Sequence, residues 1–177
     1  MRLFVGLDFP WDVKQQLAAL AGGVPGARWV PVENYHLTLR FIGEVPAHRA
    51  EEIDEALAGL RARSFPMSLA GIGTFAKGGQ ENALWVGVEK NPQLEALRSK
   101  IETALQRAGL EPERRRFSPH VTLARLRDAA EAKLAGFVQS HNLLRVGPLE
   151  VDRFVLFSSR LGKEASVYTP EVEYGLH

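Results

Sequence analysis

The sequence predicts a mixed α and β fold made by internal duplication, in a single bilobal domain. Two observations carry that prediction. Each half of the 177 residues reads strand, helix, strand, helix, strand. In addition, one tetrapeptide pattern occurs twice, as His36-Leu37-Thr38-Leu39 and as His120-Val121-Thr122-Leu123. The repeats run over roughly residues 1–78 and 82–160, and a C-terminal strand segment, 161–177, follows them.

The elements can be justified in order. Strand-like runs lie at 2–7, 35–42, 66–75, 83–88, 117–124, 149–158 and 166–173. Between them fall four helical patterns. After Pro10, which suits a first helical turn, Val13, Leu17 and Leu20 recur at helical spacing. Ile53, Leu57 and Leu60 share one face of a helix over 47–62. Leu94, Leu97, Ile101, Leu105 and Ala108 follow Pro92, and Gly109 supplies a stop. The fourth helix is expected to start at Asp128, whose spacing to Glu131 fits a capping box, and to run through Leu134 and Val138. The stretch 76–82 reads as an exposed turn. Gly6 precedes His36 by 30 positions and Gly87 precedes His120 by 33, so glycine and tetrapeptide recur together.

In a strand the side chains alternate faces, so His36 and Thr38 point one way while Leu37 and Leu39 point the other. His120 and Thr122 do the same against Val121 and Leu123. If the halves pack about a two-fold axis, both polar pairs meet across one groove. Two imidazoles and two hydroxyls suit a phosphodiester. One neutral imidazole takes a proton from water and one protonated imidazole gives a proton to the leaving oxygen, as a group of pKa about 6.5 can near neutrality. Each transfer is worth roughly 10²–10⁴ in rate. The threonine hydroxyls can donate to the non-bridging oxygens where charge builds. No metal is needed for this chemistry, and two histidines without a carboxylate at ligand spacing fall short of a zinc site. No cofactor is expected. Arg40 shares strand parity with His36 and Thr38 and is expected to reach the groove; Arg125 has the opposite parity and reaches it only if the strand bends or ends at Ala124. Tyr35, Phe117 and Tyr168 could stack on a base, with core packing the alternative for each. His48, His141 and His177 are expected at the surface.

Composition excludes other classes. The chain is 45% hydrophobic, enough for a core, and no apolar run approaches the roughly 18–20 residues of a membrane span. Met1–Gly6 leads straight into a strand rather than an export signal, so a cytosolic location is expected. There are no cysteines, hence neither disulfides nor thiolate chemistry. The net charge of +1 argues against sequence-blind binding of nucleic acid, although Arg114, Arg115, Arg116, Arg125 and Arg127 bracket the segment that holds His120. Gly71–Ala76 matches a dinucleotide fingerprint in letters only, since no helix follows it.

At these residues the sequence resembles the 2H phosphoesterase superfamily, defined by two His-x-Thr-x motifs. Within it the sequence is most similar to the RNA 2′,3′-cyclic phosphodiesterase group, also named 2′-5′ RNA ligases. The resemblance rests on the opening Arg-Leu-Phe-Val-Gly-Leu-Asp, on Asn34–Glu44 and on Phe117–Arg125. It implies two antiparallel sheets lining a central groove with helices outside. It also implies that His36 is the proton donor to the 3′ oxygen, that His120 is the proton acceptor from water, and that the product is a 2′-phosphate. Thr38, Thr122 and Arg125 would hold the substrate, an RNA end bearing a 2′,3′-cyclic phosphate, in a protein acting as a monomer. The same chemistry could serve a cyclic nucleotide, an ADP-ribose cyclic phosphate or 2′-5′ joining of RNA ends. A reading from another class is a non-catalytic RNA-binding module.

Overall fold

A computed structural model describes residues 1–177. The chain order is β1 (Arg2–Asp8), α1 (Trp11–Ala18), β2 (Ala27–Trp29), a 3-10 turn (Val32–Asn34), β3 (His36–Glu44), α2 (Ala47–Ala58), β4 (Phe65–Lys77), β5 (Gln80–Val88) and α3 (Pro92–Arg107). Then come β6 (His120–Leu126), α4 (Glu131–His141), β7 (Arg145–Val151), β8 (Arg153–Leu161) and β9 (Ser166–Gly175).

The strands form two antiparallel sheets, one of order β3-β1-β8-β9 and one of order β2-β6-β5-β4-β7. The tetrapeptides open β3 and β6, and these two strands pack side by side where the sheets meet. The core sequence β3-β1-β8-β9 mirrors β6-β5-β4-β7. The halves exchange strands, however: β4, from the first half, lies in the second sheet, and β8, from the second half, lies in the first. The expected strand 149–158 is therefore two strands. It breaks at Asp152, where the chain passes from one sheet to the other and the Asp152 carbonyl accepts the Leu176 N–H (2.7 Å). The break has a mark in the sequence that the single-strand reading passes over: Asp152 and Arg153 separate buried Val151 from buried Phe154, a spacing of three that one strand's period of two does not accommodate. Sequence patterning also misses β2, three residues long and below the length at which alternation is legible.

Helix ends follow local chemistry. Asn91 caps α3 by accepting the Leu94 N–H (3.0 Å), with Pro92 first in the helix. Gly109, at φ 96°, ends it in a Schellman turn, with Gly109 N–H to the Gln106 carbonyl and Leu110 N–H to the Leu105 carbonyl. Pro10 sits just before α1 rather than in its first turn. The expected capping box at Asp128 does not form. Asp128 takes a left-handed φ of 52° outside the helix, and α4 starts at Glu131 without a side-chain cap. The turn expected over 76–82 is a tight hairpin: Gly78 and Gly79, both at positive φ, join two strands that run almost to the tip.

One core of 34 buried residues unites helices and sheets, with Leu37, Leu39, Val121 and Leu123 of the tetrapeptides inside it. A separate small cluster, Phe4, Val155 and Phe157, with Tyr168 against it, covers the opposite face of the first sheet. That face lines the groove.

Candidate active site

His36 and His120 are oriented alike. Each Nδ1 lies against the carbonyl two residues earlier, Asn34 at 2.8 Å and Ser118 at 2.7 Å. A carbonyl only accepts, so Nδ1–H is the donor, and Nε2 is the atom free to accept or donate a proton. Each ring rests on aromatic neighbours. His36 lies 4.9 Å from Phe4 and edge-on to Tyr168 at 5.0 Å; His120 lies edge-on to Phe75 at 4.7 Å, with Trp85 at 6.3 Å. Gly73 makes room for the indole, since a Cβ there would sit 2.3 Å from the Trp85 ring. Tyr168 is thus a wall of the groove, whereas Tyr35, 1% exposed, belongs to the core. Phe117 lies beneath the Arg98 guanidinium at 5.4 Å. His48 and His177 are exposed; His141 is half-buried on Phe137.

The two sites differ in electrostatics. Burial pushes the His36 pKa below its ordinary value, and the charges of Lys14 and His120 add to the depression. The bond to the Asn34 carbonyl and the charge of Asp8 work the other way. Thr38 Oγ1 is 2.9 Å from His36 Nε2. Asp8 stands directly opposite His36 on β1 and pairs with Lys14 at 2.9 Å; the residue opposite His120 is Gly87. The glycine correspondence read from the sequence is therefore displaced by two residues. Gly6 faces Thr38, but it is Trp85 that faces Thr122. A shift of two leaves every side chain on its expected face.

The arginines reverse the parity reading, and one device explains both. Against β1, Gly6 pairs with Thr38 and Val5 with Arg40, so Leu39 is an extra residue in β3. Against β5, Trp85 pairs with Thr122 and Leu84 with Ala124, so Leu123 is the extra residue in β6. These are matching β-bulges, and each flips the alternation beyond it. The expectation that Arg40 reaches the groove is thereby overturned. It turns to the core side, 8% exposed, and its Nε binds Glu102 Oε2 of α3 at 2.8 Å. Its other nitrogens donate to the carbonyls of Phe41 and Glu111. Phe41 takes the exposed face in its place. On β6 the same flip buries Ala124 and brings Arg125 onto the face of His120 and Thr122. Parity counting had no means of placing the bulge, because a leucine inside an apolar strand looks the same paired or unpaired.

Arg114, Arg115 and Arg116 stay exposed on the loop before His120. Glu102 is fixed by several partners. Burial works to raise its carboxyl, but hydrogen bonds from Arg40, the Glu113 N–H (2.8 Å) and Gln106 (3.0 Å), with the Arg40 charge, hold it down to about 2. No group of three or more His, Asp or Glu side chains converges as a metal site would require, and no helix is long and apolar enough to cross a membrane.

Comparison with known proteins places this geometry. A family described as LigT like Phosphoesterase matches twice, over residues 7–85 and 86–168. An RNA 2′,3′-cyclic phosphodiesterase of Aeropyrum pernix is 38% identical over 148 residues, covering 82% of this chain and 84% of the relative. One from Thermotoga maritima is 32% identical, covering 95% and 91%. The crystal structure of Escherichia coli LigT complexed with 3′-AMP superposes with a TM-score of 0.78 at 27% identity, over 99% of this chain and 97% of that one.

Proposed function

The chain belongs to the LigT-like phosphoesterase family, and on that premise we propose that it hydrolyses the 2′,3′-cyclic phosphate at RNA 3′ ends, leaving a 2′-phosphate. The observation that carries the reading is the matched pair of imidazoles. Both rings are locked by Nδ1–H donation so that Nε2 is the reactive atom, and each has a threonine hydroxyl on its own strand face. The names of the relatives, RNA 2′,3′-cyclic phosphodiesterases, supply the substrate class.

In this mechanism water attacks phosphorus while His120 Nε2 takes its proton. The bond from phosphorus to O3′ breaks, and His36 Nε2–H protonates the departing oxygen. Nucleophile and leaving group are in line, on opposite sides of phosphorus, which the placement of the two imidazoles on separate sheets permits. Thr38 and Thr122 donate to the non-bridging oxygens, and Arg125 meets the negative charge from the same face of β6. The Thr38 hydroxyl, which rests on His36 Nε2 in the free protein, turns to the phosphate on binding. His36 is depressed by burial in the free protein, and the arriving anion restores its proton. The division of roles follows the family resemblance; the two lobes supply the same atoms to either assignment. The single domain of two repeats, the monomeric state and a cytosolic location complete the reading.

The decisive experiment is hydrolysis of a short RNA ending in 2′,3′-cyclic phosphate, in excess chelator, with the position of the product phosphate determined. Wild type is expected to give the 2′-phosphate. His36→Ala and His120→Ala should each lose at least about 10³ in kcat. A 3′-phosphate product would reverse the polarity of the groove. Full activity in either variant would remove the two-histidine mechanism.

A further inference from the structure

The groove face of the second sheet carries more positive charge than one cyclic phosphate uses. Beyond the Leu123 bulge, Arg125 projects from β6, and Arg127 follows directly after the last residue of that strand, Leu126, exposed and tied by its N–H to the Gly26 carbonyl. On the neighbouring strand Arg28 stands directly opposite Arg125. Directly paired residues share a face, with Cβ atoms about 5 Å apart, and like charges in that arrangement repel. All three arginines are exposed, and none has a carboxylate within ion-pair distance.

The fold builds β2 for this placement. It is three residues long, and its other side chains, Ala27 and Trp29, turn to the core, with Trp29 against Phe137 at 5.6 Å. The next residue, Val30, donates its N–H to the carbonyl of the bulge residue Leu123 at 2.9 Å. At the other end Gly26 accepts from the Arg127 N–H at 3.0 Å, so closely that a Cβ on Gly26 would meet the Arg127 carbonyl at 2.7 Å. β2 thus clamps the bulge that turns Arg125 outward and sets Arg28 beside it.

We infer that Arg28, with Arg127, binds the first phosphate upstream of the reacting end, so that the enzyme selects an RNA chain over a mononucleotide. The inference rests on the reading of the groove as an RNA-end site. Arg125 neighbours the cyclic phosphate, and Arg28 is one cross-strand step away, a separation comparable to that of successive phosphates along a nucleic-acid strand. Guanidinium pairs suit this task because each presents a planar fork to phosphate oxygens. Arg28 lies outside both tetrapeptide motifs, in the short strand the sequence pattern does not reveal.

The test compares a 2′,3′-cyclic mononucleotide with the dinucleotide that adds one internal phosphate, in wild type, Arg28→Ala and Arg28→Lys. Wild type should favour the dinucleotide in kcat/KM by about tenfold, the size of one charge-assisted contact. Arg28→Ala should bring that ratio close to one, and Arg28→Lys should keep part of it. The affinity of the 2′-phosphorylated dinucleotide product, read by fluorescence anisotropy, should lose about 0.7 from its log–log salt slope in Arg28→Ala. The inference fails if wild type shows no preference for the dinucleotide, or if Arg28→Ala slows both substrates equally. If wild type turns over neither substrate yet binds the dinucleotide in an Arg28-dependent way, the proposed reaction falls and the phosphate contact stands. Full turnover with length-independent affinity removes the contact alone.

Discussion

β3 and β6 carry the same backbone and put it to different uses. Both begin with histidine, both place threonine two residues on, and both insert an unpaired leucine at the same point. Beyond the bulge the side chains part. β3 has Arg40 turned to the core and Phe41 to the groove, whereas β6 has Ala124 and Arg125 at the equivalent places. One strand spends its arginine on structure, the other presents it to the substrate face. A duplicated scaffold fixes where the two imidazoles stand; the positions after the bulge decide which lobe is braced and which is charged.

The comparison breaks first at Arg40. Its partner Glu102 lies on α3, and its other contact, the Glu111 carbonyl, lies on the loop that leads to His120. The pair thus ties the first motif strand to the approach of the second. Arg40→Ala should cost about 3–5 kcal/mol of stability, because it strands a buried carboxylate. Arg125→Ala should change stability by less than about 0.5 kcal/mol. Urea unfolding of both variants checks this. A cost below about 1 kcal/mol for Arg40→Ala would mean the brace is replaceable. The contribution has a sign in pH. The Glu102 carboxyl is held at about 2 against an ordinary 4.5, so its stabilisation is present above 4.5 and lost as pH falls toward 2. Wild type and Glu102→Gln should therefore converge in stability on acidification.

That contrast also shows what was legible in the sequence. The duplication, the order of helices and strands, and the facing of His36, Thr38, His120 and Thr122 follow from period-two alternation and from a tetrapeptide that occurs twice. Alternation misplaces Arg40 and leaves Arg125 dependent on a bend because it has no term for an extra residue. Hydrogen-bond register, which exposes the bulges, is a property of two strands and not of either sequence alone. The strand exchange between sheets hides for a related reason. The Asp152-Arg153 pair between Val151 and Phe154 breaks the alternation, but only the partners that Val151 and Phe154 pair with assign them to different sheets. Arg28 has no signature in the sequence, because the three residues of β2 are too few to show a period.

The hydroxyls sharpen the comparison at smaller amplitude. Thr38→Val and Thr122→Val should each lower kcat by about 10², the typical cost of one donor to developing charge, and the serine variants should keep most of the rate. The lobes should differ in the free enzyme instead: Thr38 Oγ1 touches His36 Nε2, a contact the structure gives only to the first lobe and that binding gives up, so Thr38→Val should lose less in kcat/KM than Thr122→Val. Steady-state kinetics on the four variants would measure it. Equal retention of rate by valine and serine would leave the hydroxyls a packing role.

The finest difference between the lobes is the charge opposite each histidine: Asp8 faces His36, and Gly87 faces His120. Burial sets the His36 pKa below its ordinary value, and Asp8 opposes that depression. As proton donor His36 must be protonated, so kcat/KM, which reports the free enzyme, should fall as pH rises through that lowered value. In the complex the phosphate charge beside Nε2 favours the protonated ring, and the alkaline limb of kcat should lie at higher pH than that of kcat/KM. Asp8→Asn removes a contribution that raises the His36 pKa, so the kcat/KM limb should move to lower pH, by less as salt is added. Gly87, carrying no charge, has no counterpart to remove. A limb that moves upward in Asp8→Asn would transfer the titration to a group other than His36, and the lobes would then differ in geometry alone.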